Sequence, residues 1–345
     1  MTAETAEILT RVNGTVGFVT LNRPTAINSL THPMVTRLRQ VLTEWAEDGD
    51  ITAVVLDGAG ERGLCAGGDI VAIYHDIRDE GGAKTRRFWY DEYLLNGYIS
   101  RYPKPYVSLM DGIVMGGGVG VGAHGNTRVV TETTKLAMPE VGIGFIPDVG
   151  GTYLLSRAPG STGLHAALTG APMSGADAIA LGFADHYVPH DALTGFTATI
   201  VADGVGTALS AYAVTPPPSA VAQKDWIDDC YAGQTIAEIV SCLRRHDARL
   251  ANGAADTITA RSPIALAVTL EAVRRAGALG TLEDVLAQEY RTSCAALDSH
   301  DFVEGIRAMV IDKDRKPKWS PASMPAVTAS DVEAYFTGVD VELTF

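Results

Sequence analysis

The chain has 345 residues, 46% apolar and 20% charged, a composition that fits a folded globular protein with a substantial core and excludes a disordered one. Its net charge of −14 and pI near 4.9 argue against general nucleic-acid or anionic-membrane binding, so an anionic ligand would need a local cluster of donors. No apolar run reaches transmembrane length.

In chain order, residues 1–11 lack the basic and apolar regions of a signal peptide. Residues 7–12 alternate, Asn13-Gly14 follows, and residues 15–21 continue, which predicts a β-hairpin. Asn22-Arg23-Pro24 stops the second strand. A helix is expected from near His32 to Glu47, with Met34, Val35, Leu38, Val41, Leu42 and Trp45 on one face. Residues 51–56 (ITAVVL) read as a strand buried on both faces, ending in Asp57-Gly58. The loop 59–68 closes on Cys65-Ala66-Gly67-Gly68-Asp69-Ile70, where a helix begins. Residues 84–100 read as a helix packed by aromatics, with Glu92 the member that would face a site instead.

The same order then recurs. Residues 106–110 form an apolar strand, Asp111-Gly112 follows, and a triple glycine, Gly116-Gly117-Gly118, opens a run of small residues. Two such units side by side would place two glycine-lined helix starts at one sheet edge, beyond the carboxyl ends of the strands, where ligands bind. Further apolar runs cover 127–131 and 135–138. Glu140 and Asp148 follow as a carboxylate pair in a stretch almost free of charge. Residues 161–184 read as a helical unit with Ser174 as a cap. Residues 215–219 (TPPPS) mark a linker, so that 1–214 form a core and 215–345 a helical C-terminal region. Within that region Ser262-Pro263 starts a helix that Gly277 ends, and Thr281 and Asp301 each open a capping pattern. The basic run 313–318 (KDRKPK) reads as a solvated face, with a phosphate contact as the functional alternative.

Several chemistries lack their motifs. There is no G-x-S-x-G elbow, no H-E-x-x-H and no G-x-x-x-x-G-K-[ST]. The cysteines, Cys65, Cys230, Cys242 and Cys294, lack C-x-x-C spacing and fit reduced thiols in a cytoplasm. Gly118 to Ala123 fits the dinucleotide fingerprint G-x-G-x-x-A, but these glycines come late in the chain and too far after their strand. A helix starting at the triple glycine presents N–H groups without intrahelical partners. Two such donors aimed at a carbonyl oxygen make an oxyanion hole. Close packing is the other use of the same glycines, and the residues alone leave both open.

The combination of Arg23-Pro24-x-Ala26-x-Asn28, Cys65 to Ile70, Met115 to Gly118 and Met138-Pro139-Glu140 resembles the crotonase (enoyl-CoA hydratase/isomerase) superfamily. Gly142 to Tyr153 and Glu289 to Trp319 are similar to its 3-hydroxyisobutyryl-CoA hydrolase branch. The resemblance implies an α/β fold, a crotonase (ClpP/crotonase-like) spiral of ββα units with a helical C-terminal region, assembled as a trimer or dimer of trimers. It implies an acyl-CoA thioester substrate and no separate cofactor. The N–H groups of Gly68 and Gly117 match the family's oxyanion hole, and Glu140 its catalytic glutamate. Glu92 and Asp148 match acyl-site carboxylates of the hydrolase branch. Ala66, Gly67, Asp69 and Ile70, with Arg23 and Ala26, match the CoA path. Enoyl-CoA hydratases of the family carry a second glutamate where this chain has Gly120. Hydration needs a base for water and an acid for the α-carbon, so its loss favours thioester hydrolysis, as in valine breakdown. An enoyl-CoA hydratase or isomerase, and a non-catalytic acyl-CoA-binding protein, are the competing readings.

Overall fold

The computed structural model describes residues 6–221 and 225–345. Residues 1–5, part of the stretch read for a signal peptide, and residues 222–224, in the expected C-terminal region, lie outside the described residues. Two compact units divide the chain. The first takes the described residues up to Gly68, then Leu94–Leu136 and Met173–Ser219. The second takes Asp69–Tyr93, Ala137–Pro172 and the described residues from Ala220 to Phe345. It therefore combines the C-terminal helices with two earlier segments.

The first unit is built on a six-stranded sheet in the order β1-β2-β3-β4-β6-β8. β1 (Ile8–Asn13) and β2 (Val16–Leu21) form the expected antiparallel hairpin. Gly14 turns it at φ +58°, the left-handed backbone that Asn-Gly supplies without steric cost. β3 (Ala53–Gly58), β4 (Tyr106–Met110), β6 (Thr127–Val130) and β8 (His186–Tyr187) add in parallel. Burial on both faces explains the uninterrupted apolar runs of β3 and β4. One face packs on Phe196, Ile200 and Ala208, with Phe18, Val55, Val107 and Val129 from the strands. The His32–Glu47 helix appears as expected, capped by Thr31, whose hydroxyl accepts from the Met34 amide at 3.3 Å. β5 (Ile113–Met115) pairs with β7 (Lys135–Ala137) in a small separate sheet.

Beyond the adjacent ends of β3 and β4, two loops run side by side. The Leu64 amide donates to Asp111 C=O at 3.0 Å and the Met115 amide to Cys65 C=O at 3.0 Å. Their approach is closest at Gly63, whose φ is +143° and where an added Cβ would lie 2.0 Å from the Ile113 nitrogen.

The second unit is helical. Trp226, Ile227, Tyr231, Ile239, Leu243, Ile258, Leu266 and Leu270 form one of its cores. Ser262 and Thr281 cap the Pro263–Ala278 and Leu282–Ala296 helices as their spacing predicts. Two expectations shift. Gly277 lies within the last helical turn, and Leu279 is the C-cap. Asp301 is not a cap: Ser299 caps the His300–Ile306 helix. Asp301, wholly buried, instead accepts from the Ser262 hydroxyl at 2.6 Å and the Ser320 amide at 2.6 Å. The 161–184 stretch resolves into Thr162–Thr169 and Gly175–Ala180, with Gly170 at φ +64° ending the first and Ser174 capping the second. Residues 215–219 carry no helix or strand, and 313–318 is mostly exposed. No helix of the described residues is long and apolar enough to cross a membrane.

Gly63→Ala tests the packing of the two loops. Overpacking alone is expected to cost about 1–3 kcal/mol, seen as a lower denaturation midpoint. An unchanged midpoint would refute so close an approach.

Candidate active site

The glycine loops of the first unit come together as their sequences predict. Cys65 and Val114 form a parallel bridge, and the Leu30 amide donates to Gly67 C=O at 2.8 Å. An added Cβ on Gly67 would lie 3.7 Å from the Gly117 nitrogen, so the two glycine segments are neighbours. Gly117 is the first residue of the Gly117–Gly122 helix, so its N–H has no partner within that helix. Gly118 must be glycine, because a Cβ there would stand 2.5 Å from Cys65 C=O. Gly116 reaches φ +48°, ψ −119°, a turn that aims the chain into the helix. Both readings of these glycines therefore apply: they pack closely, and Gly117 heads a helix.

The segment matched to the CoA path is tied to the same loops. The Ala66 amide donates to Ile27 C=O at 2.9 Å, and buried Asn28 donates to Ala59 and Gly63 carbonyls at 3.0 and 3.1 Å. Ala26 ends the short 3₁₀ helix Pro24–Ala26. The Arg23 guanidinium is engaged by Glu7 at 3.0 Å and by Ser29 C=O at 2.6 Å. Asp69 and Ile70 fall in the second unit, where Asp69 caps the Ile70–Glu80 helix through the Ala72 amide at 3.2 Å.

Glu92, Glu140 and Asp148 all lie in the second unit and all are buried. Glu140 opens the 3₁₀ helix Glu140–Ile143, and its C=O accepts from the Phe145 amide at 3.0 Å. Phe145 stacks between Trp89 at 5.2 Å and Phe302 at 4.6 Å, which fixes that turn from two sides. Gly144, at φ +74°, lets the turn sit on the His300–Ile306 helix; a Cβ there would lie 2.2 Å from Asp301 C=O. Glu140 Oε2 and Glu92 Oε1 are buried without hydrogen-bond partners. Asp148 differs: its Oδ2 accepts from the Tyr93 hydroxyl at 2.6 Å.

Burial dominates the electrostatics of all three. It pushes Glu140 well above the usual carboxylate range, with the charges of Asp148 and Glu289 adding to the effect. Glu92 is raised well above its ordinary value by burial and then by Asp148. Burial lifts Asp148 to about 7, against the opposing Tyr93 hydroxyl and a backbone hydrogen bond. Among the described residues no three His, Cys, Asp or Glu side chains are grouped to hold a metal ion. The raised carboxyls mark this cluster as a candidate site for proton transfer.

Sequence reasoning missed Tyr93, Ser293 and Glu289. Tyr93 was read as an aromatic core residue, which it also is, at 0% exposure. Its hydroxyl is 2.8 Å from Ser293 Oγ. Glu289 sits on the buried face of its helix beside Val285 and Leu286, and a charge on that face is the signal that would have found it.

The comparisons agree on kinship. The enoyl-CoA hydratase/isomerase family model matches residues 16–336. A curated relative, "3-hydroxyisobutyryl-CoA hydrolase, mitochondrial" of Danio rerio, is 38% identical over 97% of this chain and 90% of its own. Among solved structures, the carnitinyl-CoA dehydratase from Mycobacterium thermoresistibile is 66% identical with a TM-score of 0.96, covering 99% of each chain. The enoyl-CoA hydratase from Rhodobacter sphaeroides 2.4.1 is 40% identical with a TM-score of 0.90, over 99% of this chain and 100% of that one. The parallel sheet with glycine loops after β3 and β4, and the helical C-terminal region, are accordingly those of the crotonase fold, and the chain belongs to the enoyl-CoA hydratase/isomerase (crotonase) superfamily.

Proposed function

We propose that the protein is an acyl-CoA thioester hydrolase acting on a 3-hydroxyacyl group, with 3-hydroxyisobutyryl-CoA as the preferred substrate. The observation that carries this reading is a buried Glu140 carboxyl whose Oε2 has no hydrogen-bond partner, in a chain that has glycine, not glutamate, at position 120. Curated relatives of that name, matching nearly the whole chain, support it. The Gly68 and Gly117 N–H groups polarise the thioester C=O, and ionised Glu140 either takes a proton from the attacking water or attacks to form a mixed anhydride. The C–S bond breaks and the sulfur leaves as the thiol of CoA, taking a proton from the attacking water or from a carboxyl of the cluster. On the anhydride route a water then cleaves the acyl–Glu140 bond, so that on both routes the acyl group leaves as the free hydroxy acid and Glu140 is regenerated. Asp148 binds the 3-hydroxyl or passes protons, and Glu92 meets the acyl group. Arg23, Ala26, Ala66, Gly67, Asp69 and Ile70 line the CoA path. No cofactor is needed, since CoA enters with the substrate.

A second reading is supported by the solved relatives named as a dehydratase and a hydratase. In it Asp148 supplies the second group that hydration needs, approaching from a different direction than a side chain at 120. The proposal further includes a homo-oligomer, trimer or dimer of trimers, and a reducing cytoplasm; none of the four cysteines is in a disulfide.

Thiol release from 3-hydroxyisobutyryl-CoA, followed with a colorimetric thiol reagent beside crotonyl-CoA absorbance, separates the two readings. The hydrolase releases thiol and leaves crotonyl-CoA unchanged; crotonyl-CoA turnover without thiol release overturns it. Glu140→Gln is expected to lower kcat by roughly 10²–10⁴-fold while circular dichroism stays that of the parent.

The pH profile follows from the direction of the Glu140 shift. Its neutral form can neither attack nor accept a proton, and its carboxyl holds the proton well above the usual range. So kcat/KM is expected to be low near pH 5 and to rise through neutrality. A profile already flat across pH 5.5 to 8 would show an ordinary carboxylate and contradict the assignment.

A further inference from the structure

Glu289 is wholly buried on the Leu282–Ala296 helix and takes three hydrogen bonds from one short segment. Its Oε2 accepts from the Gly150 amide at 2.6 Å, and its Oε1 from the Thr152 amide at 2.9 Å and the Thr152 hydroxyl at 2.5 Å. Gly150 is the N-cap of the Gly151–Arg157 helix and has no side chain to cap it, so Glu289 does so from another helix.

This segment is the one that carries Asp148. Between Asp148 and Gly150 stands Val149 at φ +54°, a left-handed conformation that a β-branched residue adopts only when its surroundings impose it. Glu289 grips the chain just after that residue, and the Gly151 amide closes the turn onto Asp148 C=O at 2.6 Å. One helical turn further along the same helix, Ser293 meets the Tyr93 hydroxyl, which itself donates to Asp148 Oδ2. The Leu282–Ala296 helix thus holds Asp148 twice, by its backbone through Glu289 and by its carboxylate through Ser293 and Tyr93.

We propose that Glu289 is a positioning residue for Asp148 in the thioester hydrolysis, an inference that rests on the functional reading above. Its role is to keep the Val149 turn in its left-handed form and to set the charge that Asp148 and Glu140 experience. The ionisable groups that bear on this cluster are Glu92 and Tyr93 from the Ala83–Ser100 helix, Glu140 from its 3₁₀ turn, Asp148, and Glu289 itself. None of them is a cation. Burial pushes Glu289 up to about 8, while the Thr152 and Gly150 donors oppose it, so its charge changes near neutral pH.

Glu289→Gln keeps the size of the side chain and removes the charge. In the full-length enzyme kcat is expected to fall roughly tenfold to a hundredfold, with KM for 3-hydroxyisobutyryl-CoA near that of the parent. The upper part of the acid limb of kcat/KM, where Glu289 begins to ionise, is expected to move to lower pH, because Glu140 loses a repelling neighbour there. A purely structural cap would lower the thermal midpoint and leave that limb in place. Should Glu289→Gln fail to fold, Thr152→Val removes one donor and leaves the backbone. It makes Glu289 hold its proton more tightly, so the limb moves in the same direction by less and kcat falls, while Thr152→Ser restores both. An active parent whose folded variants keep kcat and the limb unchanged overturns the positioning role. A parent that releases no thiol overturns the functional reading and this role with it.

Discussion

The constraint on which the second unit depends is the burial of four carboxyl groups among which, within the described residues, no cation appears as a charge partner. Glu92, Glu140, Asp148 and Glu289 are each at most 7% exposed. Neighbouring anions in a low-dielectric interior cannot all ionise, so protons must be retained somewhere in the cluster. The hydrogen bonds divide the four. Asp148 and Glu289 receive donors, which favour the charged form, whereas Glu140 and Glu92 each keep an oxygen with none. The donors make Asp148 and Glu289 easier to ionise than burial alone would leave them, to about 7 and about 8, while Glu140 and Glu92 are held well above the usual carboxylate range.

Holding these groups in place takes parts of the chain far apart in sequence. The Glu140 turn is pinned by a stack of Trp89, Phe145 and Phe302 and by contacts that admit only glycine at 144 and 305. Asp148 is held by residues 93 and 293. In the first unit the same solution appears without charges: Gly63, Gly67 and Gly118 let two loops lie against each other, backbone to backbone. A larger side chain at any of these places would push apart the elements that meet there.

The sequence made local features legible and long-range ones not. The Asn13-Gly14 hairpin, the His32–Glu47 helix and β4 follow from turn chemistry and periodicity, which act over a few residues. The doubled strand and glycine-loop unit was legible for the same reason. Asp301 was misread because a capping pattern is local, while its actual partners, Ser262 and Ser320, are distant in the chain. Glu289 was missed for the same reason: its partners lie 137 to 139 residues away. Tyr93 shows a second limit. An aromatic at core spacing is indistinguishable in sequence from one whose hydroxyl also holds a carboxylate. The locations of the expected site residues were thus accessible, but not the network that sets their protonation.

That network bears directly on the choice between hydrolysis and hydration. Both begin with a polarised thioester C=O and differ in what the carboxylates must do next. Hydration asks one group to take a proton from water and a second to deliver one to the α-carbon in the same arrangement. Here the backbone at 120 offers no side chain, and Asp148 is restrained by Tyr93 on one side and the Val149 turn on the other. Hydrolysis asks for one ionised carboxylate at the carbonyl carbon and a route for one proton to the departing sulfur. For that reaction a protonated Glu140 must first give up its proton, and Asp148 and Glu289 are the carboxyls whose charges bear on it. Under the proposed hydrolysis, the cluster would hold in one buried place both a carboxylate and a transferable proton.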